Sequence, residues 1–409
     1  MTRNRFLDVF RTDAASGLVL AVAALTALIL ANSPLTDAYR ALLDHPFRFQ
    51  LGGYVVDMSI AKWIKDGLMA IFFWVVGLEI KREIVSGELS SFKKMALPAF
   101  GAVGGMVVPA LVYLIYNGQA GGVSEGWPVP VATDIAFAVA AFAMVARQAP
   151  TSLKVFLLSL AIVDDLGAVI LIAALFTSTI HWGALFGALL TLGILALIGM
   201  GRKADNWVYF VGFFIVWAFV HESGVHASVA GVAVALTVPS RSRGPGLDSA
   251  LNEIEHALRP WSALVIMPLF ALSAAGLSLT GLTIDQFLSP VTMGVLLGLF
   301  IGKPVGIFLF AFLSIVLGLA HKPKGASWFQ ILGAGWLCGI GFTMSLFLGG
   351  LAFDSELYFA EAKLGVLVGS MMSAIMGVAF LAMKPKRVDN AKVDAALPQA
   401  PVPPKTPDA

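Results

Sequence analysis

Apolar residues fill the chain in long blocks, and a few polar positions inside them decide how the blocks are read. About 20 successive apolar residues cross the roughly 30 Å hydrocarbon core of a bilayer. Runs of this kind recur near 14–31, 59–80, 95–116, 127–146, 155–176, 182–200, 206–220, 223–238, 261–279, 290–317, 328–350 and 358–383. The pattern predicts an all-α polytopic membrane protein with twelve transmembrane helices over residues 1–383. The first run is too long for the core of a cleaved signal peptide and is expected to stay as a span. Between the first two runs, apolar and polar residues alternate from His45 to Asp57 around Gly52-Gly53, which predicts a small β-hairpin over about 45–58. An isolated two-stranded hairpin is marginal in water. It is expected to lean on its own loop or to offer an edge to a second protomer. Ser240–Arg259 is polar and reads as a loop leading into a helix. Residues 384–409 are polar and Pro-rich and read as a disordered tail.

Four charges lie deep in the apolar runs: Asp134, Asp164, Asp165 and Lys303. The double aspartate sits at the middle of Val155–Phe176. Each carboxylate costs roughly 2.5–3.5 kcal/mol at a helix centre, against roughly 4–8 kcal/mol returned by the apolar residues of that run. The segment is close to break-even by itself, so other parts of the chain must supply water, a cation or a counter-charge. One lysine cannot neutralise three carboxylates, which argues against a purely structural ion pair. Adjacent residues of a helix point about 100° apart. The expected division is therefore one aspartate toward Lys303 and the other toward a water-filled cavity. Gly167 is expected to let another backbone come close.

Two runs are weak as continuous helices. Pro128 and Pro130 precede Thr133 and Asp134, which are candidate caps for a second half-helix. Trp328–Gly350 carries Gly333, Gly335, Gly339, Gly341, Gly349 and Gly350. One interrupted span in each half of a chain points to an inverted-repeat transporter with its site at the midplane, the repeats being about 95–176 and 290–383. Facing half-helix N-termini carry about +0.5 charge each. Asp134 is expected to compensate them, and Lys303 to offset the facing C-terminal ends or to pair with Asp164. Pro304 frees a carbonyl one turn before it.

Composition agrees with this reading. Of 409 residues, 58% are hydrophobic and 13% charged, against about 25% charged in soluble domains. The net charge of +2 forms no basic stripe, so nucleic acid is not an expected partner. The one cysteine, Cys338, excludes a disulfide framework or a cysteine metal site. Most of the 27 Lys and Arg residues fall in alternate inter-span segments starting with the N-terminus, leaving Arg40, Arg48, Lys62, Lys65 and Lys363 on the other side. The positive-inside rule then places both termini in the cytoplasm and the hairpin outside.

Several motifs carry a resemblance. Val131-Ala132-Thr133-Asp134-Ile135-Ala136-Phe137-Ala138, Asp164-Asp165-Leu166-Gly167-Ala168, Gly302-Lys303-Pro304 and Phe73–Glu83 are similar to the bacterial NhaA-type sodium/proton antiporters, as are His221–Ala227 and Gly339–Ser345. The likeness extends over most of residues 1–383, is loosest through Ser240–Arg259 and is absent from the tail. It implies an inner-membrane protein of twelve helices, with the fourth and eleventh interrupted and crossing. The implied activity is pH-regulated, electrogenic exchange of sodium or lithium for protons, serving pH homeostasis without a cofactor. By resemblance Asp165 is the principal sodium ligand, with Asp164 beside it and Thr133 near. Asp134 and Lys303 balance charge and couple protons, Lys303 pairing with Asp164 when sodium is absent. Glu79, Arg82, Glu83, Glu253, Glu255 and His256 belong to a cytoplasmic funnel that senses pH, and the hairpin makes a homodimer.

The chemistry suits exchange, because sodium ions and protons compete for the same oxygens. His226 is either a packed core histidine or a titrating group in the pH response. Other classes fit less well. A channel needs a ring or repeated filter, and the acids here are one unmatched set. A sodium-coupled symporter needs more donors than Thr133, Thr343, Ser345 and Lys303 offer. His221-Glu222-Ser223-Gly224-Val225-His226 has its histidines five apart instead of the four a zinc protease needs, so they diverge by about 140°.

Overall fold

The computed structural model describes residues 13–51, 54–119, 122–145, 149–177, 179–201, 205–242, 248–280 and 282–383. The Gly52-Gly53 turn, the tail after Met383 and several of the basic residues used for orientation lie outside these. The helices are Asp13–Ala31 (α1), Thr36–Asp44 (α2), Met69–Ser86 (α3), Phe92–Asn117 (α4), Ile135–Val145 (α5), Thr151–Leu175 (α6), Trp182–Met200 (α7) and Asn206–Ser223 (α8). There follow Ser228–Thr237 (α9), Ala250–Trp261 (α10), Met267–Ala274 (α11), Pro290–Leu297 (α12), Lys303–Val316 (α13), Trp328–Cys338 (α14), Phe342–Ala352 (α15) and Glu356–Ala382 (α16). Wide-turn segments Trp63–Leu68, Ser262–Ile266 and Gly298–Gly302 lead into α3, α11 and α13.

Among the described residues, seven helical runs are long and apolar enough to cross a bilayer, and two bent pairs bring the number to nine. The other predicted spans are helical but fall short of twelve crossings by that measure. Helix α3 carries Glu79, Lys81, Arg82 and Glu83, and α9 has 10 residues. At 1.5 Å per residue α9 covers only about half of the hydrocarbon core. Helix begins at Ala250, inside the segment read as a loop, because Ala250–Trp261 is amphipathic: Leu251 and Ile254 are buried while His256 and Arg259 are exposed.

Strands Pro46–Leu51 (β1) and Tyr54–Ser59 (β2) form an antiparallel hairpin that pairs Phe47 with Met58 and Phe49 with Val56. Directly opposed residues share a face, so these four make an apolar side. Phe47 and Phe49 meet Trp63 edge-on at 6.1 and 6.4 Å, and Trp63 stacks on Trp217 at 5.7 Å. The Trp63 indole also donates to the Phe47 carbonyl at 2.9 Å. The hairpin thus leans on its own chain.

Helices α4 and α13 approach closely where side chains are missing. A Cβ on Gly104 would lie 2.2 Å from the Gly306 oxygen, and one on Gly306 2.1 Å from the Gly104 oxygen. Small residues admit such contact in a membrane, where no difference in hydrophobicity draws helices together. Gly167 behaves differently from expectation: its open side is filled by the Met106 thioether, to which an added Cβ would come within 2.3 Å. It admits a flexible side chain, not a backbone. The carbonyl freed by Pro304 is that of Phe300, and the Trp336 indole donates to it at 3.0 Å.

Candidate ion site

The two interrupted spans meet at their breaks. In the first, tight turns Ser124–Gly126 and Val129–Val131 end at extended Ala132, and helix resumes at Ile135. In the second, α14 ends at Cys338 and α15 begins at Phe342 after a bend of 46°. Proline and glycine leave backbone groups unpaired there, and the breaks satisfy each other. The Asp134 amide donates to the Ile340 carbonyl at 2.7 Å. A Cβ on Gly341 would lie 3.1 Å from the Ala132 oxygen, so the crossing needs a small residue there.

Asp134, fully buried, serves both half-helices. Its Oδ1 accepts from the Phe137 amide at 3.1 Å, capping α5. Its Oδ2 accepts from the Thr343 amide at 3.1 Å and from the Thr343 hydroxyl, at the start of α15. One carboxylate therefore meets the positive ends of two helices. Lys303, also fully buried, does the converse. Its ammonium donates to the Val131 carbonyl, where the first half of the broken span ends, and lies 2.6 Å from Asp164 Oδ2.

Helix α6 turns its two aspartates to different surroundings. Asp164 Oδ2 also receives Thr133, whose hydroxyl is 2.6 Å away and 2.9 Å from the Cys338 carbonyl. That hydroxyl has one proton and donates to one of the two at a time. Asp165 is 1% exposed, and neither of its oxygens has a hydrogen-bond partner. It lines a cavity of about 610 Å³ that also reaches Glu79, Arg259 and Ser262. A buried polar group without a partner calls for a functional explanation, and a buried carboxylate more so. This one is placed to meet whatever enters the cavity.

A family model described as Na+/H+ antiporter 1 matches residues 7–381. The chain belongs to this antiporter family. Curated relatives named Na(+)/H(+) antiporter NhaA agree. One from Pseudomonas putida is 47% identical over 94% of this chain and 99% of its own length. One from Proteus mirabilis is 46% identical over 91% and 95%, and one from Aeromonas salmonicida 45% over 92% and 96%. The chain is thus a multi-pass membrane transporter and not an enzyme.

At the far side of the antiporter's cavity lies a charged cluster. Glu79 is 3.8 Å from Arg259. Arg82 pairs with Glu255, which is 1% exposed, and lies 3.4 Å from Glu83. Glu83 in turn accepts from the Glu88 amide at 2.9 Å. Glu253 accepts from Asn206 at 2.7 Å, and His256 on the same helix is exposed. His226 is not part of this group. Its Nδ1 is 2.7 Å from the Ser228 hydroxyl, and its Nε2 is 3.7 Å from Asp66. Asp66 and Arg82 stand 16 residues apart on one helical run, so about 24 Å separates the two regions.

Sequence reasoning passed over three contributors. The Val131 and Cys338 carbonyls carry no side-chain signal. Ser370 does: it is a buried hydroxyl in the apolar α16, and its Oγ accepts from the Gly341 and Phe342 amides at 3.2 and 3.1 Å. These are the first free donors of α15.

Proposed function

We propose that this protein expels sodium, or lithium, from the cytoplasm in exchange for protons moving inward, by alternating access to a midplane aspartate site. The observation that carries this reading is Asp165, buried at the cavity wall with both oxygens unpartnered, next to an Asp164 held by Lys303. Hard cations take oxygen ligands. Asp165 is the principal ligand, Asp164 joins it when Lys303 swings away, and the Thr133 hydroxyl turns its lone pairs to the ion. Protons occupy the same oxygens when sodium leaves, so the two cargoes exclude each other. Asp164, Asp165 and Lys303 together can move more than one proton for one sodium, which makes the exchange electrogenic. Asp134 holds the crossing helix ends neutral throughout.

The broken spans, each the second of three in 95–176 and 290–383, support an inverted repeat that rocks about this fixed site. Glu79, Arg82, Glu83 and Glu255, with Glu253 and His256 on the same helix, form the pH-responsive region. Glu79 and its partner Arg259 line the cavity that leads to Asp165. His226, paired near Asp66, titrates apart from them. The basic residues put this end and both termini in the cytoplasm of a bacterial inner membrane. The hairpin lies on the other side, where its open strand edges suit a second protomer.

Inside-out vesicles test the proposal. Adding sodium should drive proton movement in the native protein, and Asp165→Asn should abolish it. Normal exchange in that variant would sink the site assignment. Proton flux that requires an organic co-substrate would favour a symporter.

A further inference from the structure

Helix α2, Thr36-Asp37-Ala38-Tyr39-Arg40-Ala41-Leu42-Leu43-Asp44, mixes charges with leucines. It turns 114° from α1, so it runs across the direction of the span. An amphipathic helix in that attitude lies in the plane of the membrane surface. Two side chains hold it there. Asn32 donates to the Leu277 carbonyl at 2.7 Å and accepts from the Leu279 amide at 2.6 Å. The Tyr39 hydroxyl donates to the Leu272 carbonyl at 2.5 Å.

Between α2, the segment after α11 and the start of α16 opens a cavity of about 660 Å³. Small-molecule sites commonly measure about 300–1,000 Å³. Its wall carries Arg40, Lys363, Asp44, Glu356 and Glu361, and no ion pair joins any two of them. Lys363 lies over the Phe359 ring at 4.4 Å and spends one donor on the Gly276 carbonyl at 3.1 Å. Its other two donors are free for a ligand. Arg40 brings a second positive charge to the same wall. Two cations held near one another favour an anion. Three carboxylates on the same wall disfavour a ligand that brings only negative charge. Leu282 and Leu357 are exposed in the same lining, giving the polar cavity an apolar side at membrane-surface depth.

We propose that this cavity binds the head group of an ethanolamine phospholipid. Its phosphate sits between Arg40 and Lys363, its primary ammonium donates to the carboxylates, and its acyl chains run over the leucines. A choline head group carries no N–H for the carboxylates. A glycerol head group brings no ammonium for the three acids, so it adds only negative charge beside them.

The full-length protein in detergent, offered phosphatidylethanolamine, phosphatidylcholine and phosphatidylglycerol at equal mole fraction, tests this by native mass spectrometry. The ethanolamine lipid should be retained about tenfold over the others, in line with the added worth of charge-assisted hydrogen bonds. Arg40→Gln and Glu356→Gln should each lower that retention several-fold, and both positions are exposed enough for the fold to tolerate the change. Equal retention of the three lipids, or native retention by Arg40→Gln, overturns the assignment. So does displacement by glycerophosphoethanolamine at the lipid's own concentration, which would mean a soluble zwitterion is recognised.

Discussion

Lys303→Met isolates the central electrostatic contact. It removes the ammonium 2.6 Å from Asp164 and the donor to the Val131 carbonyl, while keeping a similar volume. Asp164 is left with the Thr133 hydroxyl as its polar neighbour. Removing one partner of a buried ion pair costs roughly 3–5 kcal/mol, whereas replacing both by neutral groups is often close to neutral. With roughly 2.1 cal/mol/K of unfolding entropy per residue over 409 residues, the melting midpoint should fall by about 4–6 °C. Adding Asp164→Asn should restore most of that loss, because a neutral amide needs no counter-charge. Thermal unfolding in detergent at neutral pH without sodium, followed by tryptophan fluorescence, measures all three variants. A Lys303→Met protein that melts with the native one refutes the reasoning. So does a double variant whose loss equals the sum of the two single losses, since the two groups would then be uncoupled.

Asp165→Asn should abolish exchange without lowering the melting midpoint, because neither Asp165 oxygen has a hydrogen bond to lose; a lower midpoint in the same unfolding assay would contradict this. Competition between proton and sodium predicts that the apparent KM for sodium rises as pH falls, read from vesicle exchange at several pH values; a KM independent of pH would rule out a shared site. Ser370→Ala leaves the Gly341 and Phe342 amides without their acceptor and should cost about 1–2 kcal/mol, with weaker sodium affinity, while Ser370→Thr keeps the oxygen and most of the affinity. Gly306→Ala should push α13 off α4 and lower both melting midpoint and exchange, whereas Gly193→Ala, with open space at its Cβ position, should change neither.

Much of this protein is legible along the chain, because a bilayer imposes a one-dimensional test. Length of apolar run, proline and glycine at a break, and charge where charge is costly are all local properties. They led to the helical spans, to the two interruptions and to Asp134, Asp164, Asp165 and Lys303 before any contact was known. The spacing of the aspartates also set their divergence on α6, since a helix turns adjacent residues about 100° apart. The direction of each was a matter of neighbours.

Only the folded chain determined that Lys303 reaches both Asp164 and the Val131 carbonyl, where sequence reasoning left these as alternatives. The reason is distance along the chain: residues 131, 164 and 303 share a site only after three separate spans have docked. No side chain marks the Val131 and Cys338 carbonyls as the ones that face Lys303 and Thr133, and none marks Met106 as the residue that fills the space beside Gly167. His226, which the sequence left as either a packed core histidine or a titrating group, lies beside Asp66 and Ser228, away from the Glu79–Arg82–Glu255 cluster, because helix direction separates charges that composition alone would pool. A hydrophobicity pattern states what must be buried and how deep. Which buried group touches which is decided by the crossing of helices that are far apart in the chain.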